Sequence, residues 1–297
     1  MFKKISVKVT LIVNCILFIV VLLGTSFIIY QASDRLEAQY QAKGKFISLI
    51  AAKAVGRIMD EAIDNGVFTV KDAFDVDYSP IPNVDPPKYH TKYDAYTDKA
   101  LLTFFDEFLL KDKDILYVTA TDTNGYVPTH NTRYQQPLTG DKEKDLKGNR
   151  TKRIFNDPIG SKAAKNEEEG FLQTYKRDTG ETTWDFASPI YVKGRLWGTS
   201  RVGISLETYN QIKSNLLFAL VASMIVIGVV ALLTVYLVVS KMLKPLTEFT
   251  KIASRMADGM VEEKIVPKSD DELGELADVL ERMRVSLKAA MDRLTKK

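Results

Sequence analysis

The chain has 297 residues, of which 45% are hydrophobic and 27% charged, and 41 basic against 38 acidic residues give a formal net charge of +3. This composition excludes a disordered, collagen-like or low-complexity chain, and the near-balanced charge gives no support for nucleic-acid binding. The single cysteine excludes an intrachain disulfide and any site built on a CxxC motif.

The first predicted element is an apolar helix over residues 9–30, which follows a short basic stretch at residues 1–8. The run VTLIVNCILFIVVLLGTSFIIY carries no charge, and about 20 apolar residues suffice for a helix to cross ~30 Å of hydrocarbon. A cleaved signal peptide is the alternative, because Lys3, Lys4 and Lys8 would suit its basic start. Signal peptides have shorter apolar cores of ~7–15 residues and an A-x-A cleavage site, which is missing here. We therefore expect a retained transmembrane helix.

Residues 31–215 begin with a helical pattern that continues the first helix beyond the membrane. Apolar residues such as Leu36, Tyr40 and Ile47 recur at helical spacing, and Asn65-Gly66 predicts the end of the helix. A second apolar-rich helix is predicted near residues 97–110.

Five segments rich in β-forming residues follow and predict an antiparallel sheet. The predicted strands are residues 115–121, 126–130, 171–177, 181–192 and 196–205. Asn124-Gly125 predicts a hairpin turn between the first two strands, and the polar residues 131–170 predict a long crossover. The expected fold is α+β, with a long N-terminal helix and a five-stranded antiparallel sheet.

Side chains on or beside this sheet are candidates for binding a small polar ligand. Arginine offers a planar fork that matches a carboxylate, and aromatic rings wall a pocket. The candidates are Tyr126, His130, Arg150, Arg153, Tyr175, Trp184, Asp185 and Tyr191. Because successive side chains in a strand face opposite sides, Trp184 and Asp185 cannot both face one pocket.

Ordinary structural roles are the alternative for each of these candidates. Trp184 and Tyr191 could be core residues, Arg150 could pair with a nearby aspartate, and His130 could cap a turn. The residue types alone leave both interpretations open.

Three stretches of this segment resemble the extracytoplasmic Cache (PAS-like) sensor domains of bacterial chemoreceptors. They are DTNGYVPTHNTRYQQPLTGD, NRTKRIFNDPIG and QTYKRDTGETTWDFASPIYVKGRLWG. The resemblance covers roughly residues 31–215 and is best after Ile115. It implies that a small metabolite binds between the sheet and the long loop and helix that cover it.

A second apolar helix is predicted over residues 216–239. The run LLFALVASMIVIGVVALLTVYLVV is uncharged, and its length favours a transmembrane helix over a buried core helix. Lys241 and Lys244 follow it, as lysines precede the first helix. The positive-inside rule then places both termini in the cytoplasm and residues 31–215 outside. We expect a bacterial inner-membrane protein with two transmembrane helices.

Residues 240–293 carry two short heptad patterns, which bury apolar surface only against partner helices. The expected core residues are Leu246, Phe249, Ala253, Met256, Val261, Ile265, Leu273, Leu276, Leu280 and Met283. Pro245 suits a first helical turn, and Gly259 lies where that helix should end. The alternative is a generic amphipathic hairpin.

The same segment resembles the HAMP domain family, through KPL at 244–246, the Gly259 stop and DELGEL at 271–276. The resemblance implies an all-α coiled-coil module: a parallel four-helix bundle in a homodimer, with Pro245 and Glu272 as control positions for signal relay. With both resemblances, the chain is similar to the N-terminal half of methyl-accepting chemotaxis proteins without their signalling domain.

We expect no enzymatic activity, cofactor or metal site. Two histidines, His90 and His130, form no HxxxH or CxxCH motif, and residues 240–297 contain neither histidine nor a Gly-rich nucleotide loop. The expected function is a receptor that binds a small solute, an organic anion first and an amino acid second. Since only a short tail, residues 294–297, follows the last module, the signal would pass to a separate output protein. One alternative is a non-sensing structural or decoy subunit that dimerises with a full-length receptor or sensor kinase. The other is a solute-capturing accessory protein with no signalling role.

Overall fold

The computed structural model describes residues 5–266 and 269–295. Lys3 and Lys4, on which the predicted orientation partly rests, and the end of the predicted tail lie outside these residues. The chain divides into two compact units, Tyr30–Leu217 and Met1–Ile29 with Phe218–Lys297. The helices are α1 (Ile5–Asp64), α2 (Val70–Ala73), α3 (Asp94–Lys111), α4 (Lys142–Gly148), α5 (Pro158–Ala164), α6 (Leu206–Met242), α7 (Lys244–Ala257) and α8 (Glu272–Thr295). The strands are β1 (Ser79–Pro80), β2 (Tyr89–His90), β3 (Ile115–Asp122), β4 (Tyr126–Val127), β5 (Arg153–Ile154), β6 (Phe171–Lys176), β7 (Thr182–Val192) and β8 (Arg195–Ser205).

Two helices, α1 and α6, carry stretches long and apolar enough to cross a membrane, judged by length and composition. These stretches include the predicted spans 9–30 and 216–239, and they are not buried within the described structure. An apolar helix with no protein around it is stable only where lipid or partner helices cover it.

Helix α1 runs from the first apolar stretch to Asp64 without a break, as the sequence predicts. Its end is a glycine cap: Gly66 has a φ of +71°, and the amide of Val67 donates to the carbonyl of Ala62 at 2.9 Å. Within the unit 30–217, α1 packs against the main sheet, where Gly44 lets the ring of Phe186 approach. A Cβ at Gly44 would lie 2.2 Å from that ring.

The main sheet has four antiparallel strands in the order β3-β8-β7-β6. The predicted fifth strand, residues 126–130, is wrong: only β4 forms there, and it pairs with β5 in a separate two-stranded sheet. The turn at Gly125 directs the chain away from β3, because the Gly125 carbonyl accepts the amide of Phe155 at 2.8 Å. Pro128 follows β4 and offers no N–H to a ladder.

The two faces of the main sheet differ in chemistry. Phe186 on β7 and Val202 on β8 are buried in the apolar core that also holds residues of α1 and α3. The opposite face carries Tyr117, Asp185 and Arg201, which are also buried. A polar face this well covered must satisfy its hydrogen bonds internally or through a ligand.

In the C-terminal segment, α7 and α8 pack through a small apolar cluster. Of the predicted core residues, Met256, Val261 and Ile265 are buried. Half-buried are Leu246, Phe249, Leu273 and Leu280, whereas Ala253, Leu276 and Met283 are exposed in the single chain. One chain therefore covers only part of the predicted heptad core.

Candidate functional site

A cavity of about 250 Å³ lies over the polar face of the main sheet, beneath a cover segment made of residues 131–170. Pockets for drug-sized ligands usually measure ~300–1,000 Å³, and this cavity is slightly smaller, so its size suits a small metabolite. Its lining includes Arg150, Arg177 and Arg201, and the hydroxyl groups of Tyr117, Tyr175 and Thr119. Each of the three arginines is less than 10% exposed.

Strand alternation brings the sheet's polar residues to the cavity. Tyr117 and Thr119 face it from β3, while Val118 between them joins the core on the other side. Gly203 on β8 lies opposite Tyr117 in the register. A Cβ at Gly203 would lie 2.2 Å from the Tyr117 ring, so glycine lets that ring cross β8.

A buried ion pair forms the floor beside the cavity. Asp185 is 0% exposed and accepts hydrogen bonds from Tyr117 Oη at 2.9 Å and from Arg201 Nε at 3.1 Å. Arg201 Nη2 completes the bidentate pair. Burial by itself would lower the pKa of Arg201, but the charge of Asp185, the hydroxyls of Tyr117 and Tyr175 and the hydrogen bond to Asp185 together outweigh burial and raise it. The pair occupies Nε and Nη2 of Arg201.

Arg177 enters the cavity from the turn after β6, held between two aromatic rings. Its guanidinium carbon lies 4.8 Å from the ring centre of Tyr117 and 4.9 Å from that of Tyr134. Its Nη1 donates to Tyr134 Oη at 3.0 Å, and Glu181 Oε2 lies 3.4 Å away. Its buried Nε has no hydrogen-bond partner among the described residues.

Arg150 reaches the cavity from the cover segment. It pairs with Asp178 at 2.6 Å rather than with an aspartate of the cover segment, and its guanidinium stacks 4.8 Å from the ring centre of Phe155. The cover segment is itself tied down by Lys88, which donates to Asn149 Oδ1 and to the carbonyl of Thr151. Burial, followed by the charges of Arg153 and Lys152, lowers the pKa of Lys88 to about 8.

His130 is a neutral side chain inside this cationic group. Burial, followed by the charges of Arg150, Arg177 and Arg201, lowers the pKa of His130 well below its usual value. Its Nδ1 accepts the amide of Asn131 at 2.9 Å, so the neutral ring carries its proton on Nε2. His130 can therefore donate one hydrogen bond to a ligand.

The structure brings some of the predicted ligand-binding residues together. His130, Arg150 and Tyr175 line the cavity, and Asp185 lies just behind it, bonded to Tyr117. These residues come from separate segments of the chain that only the fold unites.

The other four candidates lie elsewhere, so their assignment to one pocket is corrected. Tyr126 Oη donates to the carbonyl of Tyr89, and Arg153 Nη1 donates to the carbonyl of Leu146. Strand alternation turns Trp184 to the core face, where its ring lies 4.8 Å from that of Tyr209. Tyr191 is 47% exposed.

Sequence reasoning missed Tyr117, Arg177 and Arg201 as cavity residues. One signal for Arg201 was available: a charged residue in the middle of the predicted strand GTSRVGIS. A charge there must be paired or must face a ligand, because a lone buried charge is unfavourable. Arg177 could not be placed in the same way, since it lies in a turn.

The predicted relay positions lie at the starts of α7 and α8. Pro245 occupies the first turn of α7, and Glu272 is the first residue of α8 and is exposed. Asp271 caps α8, because its carboxylate accepts the amides of Leu273 at 3.0 Å and Gly274 at 3.3 Å. Gly259, with a φ of +84°, follows α7 as predicted.

Comparison with solved structures gives distant fold likenesses. The ligand-binding domain of the Campylobacter jejuni chemoreceptor Tlp3, in complex with 4-methylisoleucine, matches with a TM-score of 0.36 and 11% identity, over 70% of this chain and 63% of that domain. The Escherichia coli DcuS sensor domain matches with a TM-score of 0.29 and 13% identity, over 54% of this chain and 98% of that domain. A domain of a sensory box/GGDEF family protein from Vibrio parahaemolyticus gives 0.29 and 16%, over 59% and 63%. These TM-scores are too low to support a function.

Comparison with known protein families identifies the C-terminal segment. No curated protein sequence matches the chain significantly. The HAMP domain family matches residues 237–289, which overlap the predicted module at 240–293 and contain α7 and most of α8. The prediction from the KPL and DELGEL stretches is confirmed, and residues 237–289 belong to the HAMP domain family.

Proposed function

We propose that the chain is a membrane signal-transduction receptor that binds a small organic anion outside a bacterial inner membrane. The observation that carries this proposal is the cavity with three buried guanidinium groups, from Arg150, Arg177 and Arg201. Guanidinium forks match planar carboxylates, and a buried cationic cavity favours an anion over a neutral solute. Both termini would lie in the cytoplasm, with residues 31–215 outside.

The route to the HAMP domain begins at the cavity. Arg201 lies on β8, which ends at Ser205, and α6 begins at Leu206 with no loop between them. A ligand that contacts Arg201 therefore acts on the strand that leads directly into the second apolar helix. Such a ligand shifts the population of receptor states by its difference in affinity for them. Pro245 and Glu272 are the positions at which the shift would enter α7 and α8.

Dimerisation is part of the proposal. Leu276, Met283 and Leu287 are 38%, 53% and 41% exposed along α8. Their spacing of seven and four residues forms a seam that a second HAMP protomer would cover in a coiled-coil bundle. The output would pass to a separate signalling protein through that bundle.

Ligand binding and relay can be tested together on the full chain in lipid nanodiscs. A panel of small organic acids should contain one that raises the Tm of the unit 30–217 in a concentration-dependent way. A spin label at Ser286→Cys, in a Cys15→Ser background, reports the distance between α8 helices of a dimer. We expect the same acid to change that distance distribution.

The alternative function is a non-sensing structural or decoy subunit that dimerises with a full-length receptor. The exposed seam of α8 favours it as much as it favours a sensor, because both need a partner helix. Stabilisation by an acid without any change in label distance would overturn the relay. A chain that dimerises although no acid in the panel raises its Tm would favour the decoy.

A further inference from the structure

The carboxylates at the cavity all have hydrogen-bond partners within the fold, whereas Nε of the Arg177 guanidinium has none among the described residues. We infer that the cavity selects small carboxylates that carry no ammonium group and rejects amino acids, and that Arg177 contacts the ligand carboxylate. This inference rests on the proposed function, because it names the ligand class of the same cavity.

Arg177 is the cavity arginine with a buried donor that has no partner among the described residues. Its side chain is 2% exposed, and Nε is buried without a partner among the described residues. An unpaired buried donor is unfavourable, and more so when the group is charged. Glu181, at 3.4 Å, is the only carboxylate that the structure places within ion-pair distance of Arg177 among the described residues. A ligand carboxylate in the cavity would give this guanidinium a closer ionic partner than Glu181.

The carboxylates around the cavity already have partners in the fold. Asp185 is fully buried and accepts from Tyr117 and Arg201. Asp178 pairs with Arg150 at 2.6 Å. Asp157 caps α5, where its Oδ1 accepts the amides of the first helical turn at 3.0 and 3.1 Å. An α-ammonium would therefore have to compete for carboxylates that already serve the fold.

The state of His130 shows what the cavity does to a positive charge. His130 is 4% exposed, and three guanidinium groups lie close enough to disfavour its protonated form. An ammonium group in the same cavity would meet the same burial and the same positive charges. A neutral hydroxyl group in its place would incur a smaller penalty for burial and would not be repelled by the guanidinium charges. It could also accept a hydrogen bond from His130 Nε2.

Matched acid pairs test this selectivity on the full chain in nanodiscs. The pairs are L-lactate with L-alanine, L-malate with L-aspartate, and 2-hydroxyisovalerate with L-valine, in which a hydroxyl replaces the ammonium. We expect at least one hydroxy acid to raise the Tm, with its amino partner half-saturating at a concentration at least ~10-fold higher. Equal or tighter binding of the amino partner would overturn the inference.

Two kinds of failure are distinguishable in this experiment. If amino acids stabilise the chain and hydroxy acids do not, the inference fails while the proposed receptor function stands. If no acid of any pair stabilises it, the proposed anion ligand fails as well.

Variants distinguish the specific effect of losing Arg177 from that of losing any positive charge. Arg177→Gln and the milder Arg177→Lys should abolish or weaken the hydroxy-acid shift, since lysine keeps the charge but lacks the planar fork. Arg57→Gln removes an equal charge from an exposed site on α1 and should keep the shift.

Asp157→Asn preserves the helix cap. If it removed a shift caused by an amino acid, Asp157 would be an ammonium partner and the inference would be wrong.

Discussion

The two units of the chain bury their apolar residues in opposite ways. In the unit 30–217, large side chains such as Trp197 and Phe186 are 2% and 1% exposed within a single chain. In the HAMP segment, Met283 and Val285 remain 53% and 51% exposed. Since burial of apolar surface is the main driving force of folding, the first unit carries its own core. The second leaves much of its apolar surface exposed within a single chain.

Both units combine buried and exposed ion pairs. The unit 30–217 places the pair of Asp185 and Arg201 deep inside, where removing one partner would leave a buried charge. In the HAMP segment, the side chains of Arg284 and Glu281 are 10% and 19% exposed, whereas those of Arg255 and Glu263 are 48% and 56% exposed. Exposed pairs contribute only ~0–1 kcal/mol each.

The largest expected effect is on the self-contained core. Phe186→Ala should lower the free energy of unfolding of the unit 30–217 by ~3–5 kcal/mol, because it leaves a cavity against α1. Both tryptophans, Trp184 and Trp197, lie in this unit, so their fluorescence reports its unfolding alone. Phe46→Ala is the matched control: Phe46 is 63% exposed and its loss should change stability by less than ~0.5 kcal/mol. Equal effects of the two variants would contradict a core centred on Phe186.

The predictability of the two units differs for a physical reason. The strands β3, β6, β7 and β8 and the helices α1 and α3 were predicted to within a few residues, because periodicity and turn residues are local signals. The strand predicted at residues 126–130 failed, since its pairing depends on a contact between Gly125 and Phe155 that local sequence does not encode.

The candidate site was predictable only in part. His130, Arg150 and Tyr175 were identified by residue type, and alternation correctly separated Asp185 from Trp184. Arg177 was missed because its position depends on the rings of Tyr117 and Tyr134, which come from different segments. The HAMP segment was predicted more completely, since heptads and glycine stops are sequence-local.

A smaller effect is expected at the exposed seam of α8. Leu276→Glu should weaken dimerisation by ~1 kcal/mol per protomer, about the value of burying the 38% of Leu276 that a single chain leaves exposed. Analytical ultracentrifugation of the full chain in detergent measures the change. The unfolding transition of the unit 30–217, followed by tryptophan fluorescence, should be unchanged. Ser286→Glu adds the same charge at another exposed position of α8 and should leave the dimer intact. Dissociation by both variants would show that charge, and not the seam, controls association.

The smallest expected effect is a pH dependence confined to the HAMP segment. Glu281 accepts from Arg284 Nε and from the amide of Ile265, both at 2.8 Å. The bond from Arg284, followed by that from Ile265, lowers the pKa of Glu281 to about 2 from 4.5. A carboxyl with a lowered folded-state pKa stabilises the fold above its unfolded pKa, and this contribution is lost as pH falls.

Glu281 should therefore hold the Ile265 amide fully above about pH 4.5 and release it as pH falls toward about 2. Hydrogen–deuterium exchange of a peptide containing residues 260–266 measures this, with Glu281→Gln compared at each pH so that intrinsic exchange rates cancel. The wild-type chain should be better protected than the variant at pH 5, and the difference should shrink with acid. Glu275→Gln, at an exposed position on the same helix, should behave like the wild type. If the difference between wild type and Glu281→Gln did not change with pH, the carboxylate charge would not be what holds Ile265, in the segment between α7 and α8, to α8.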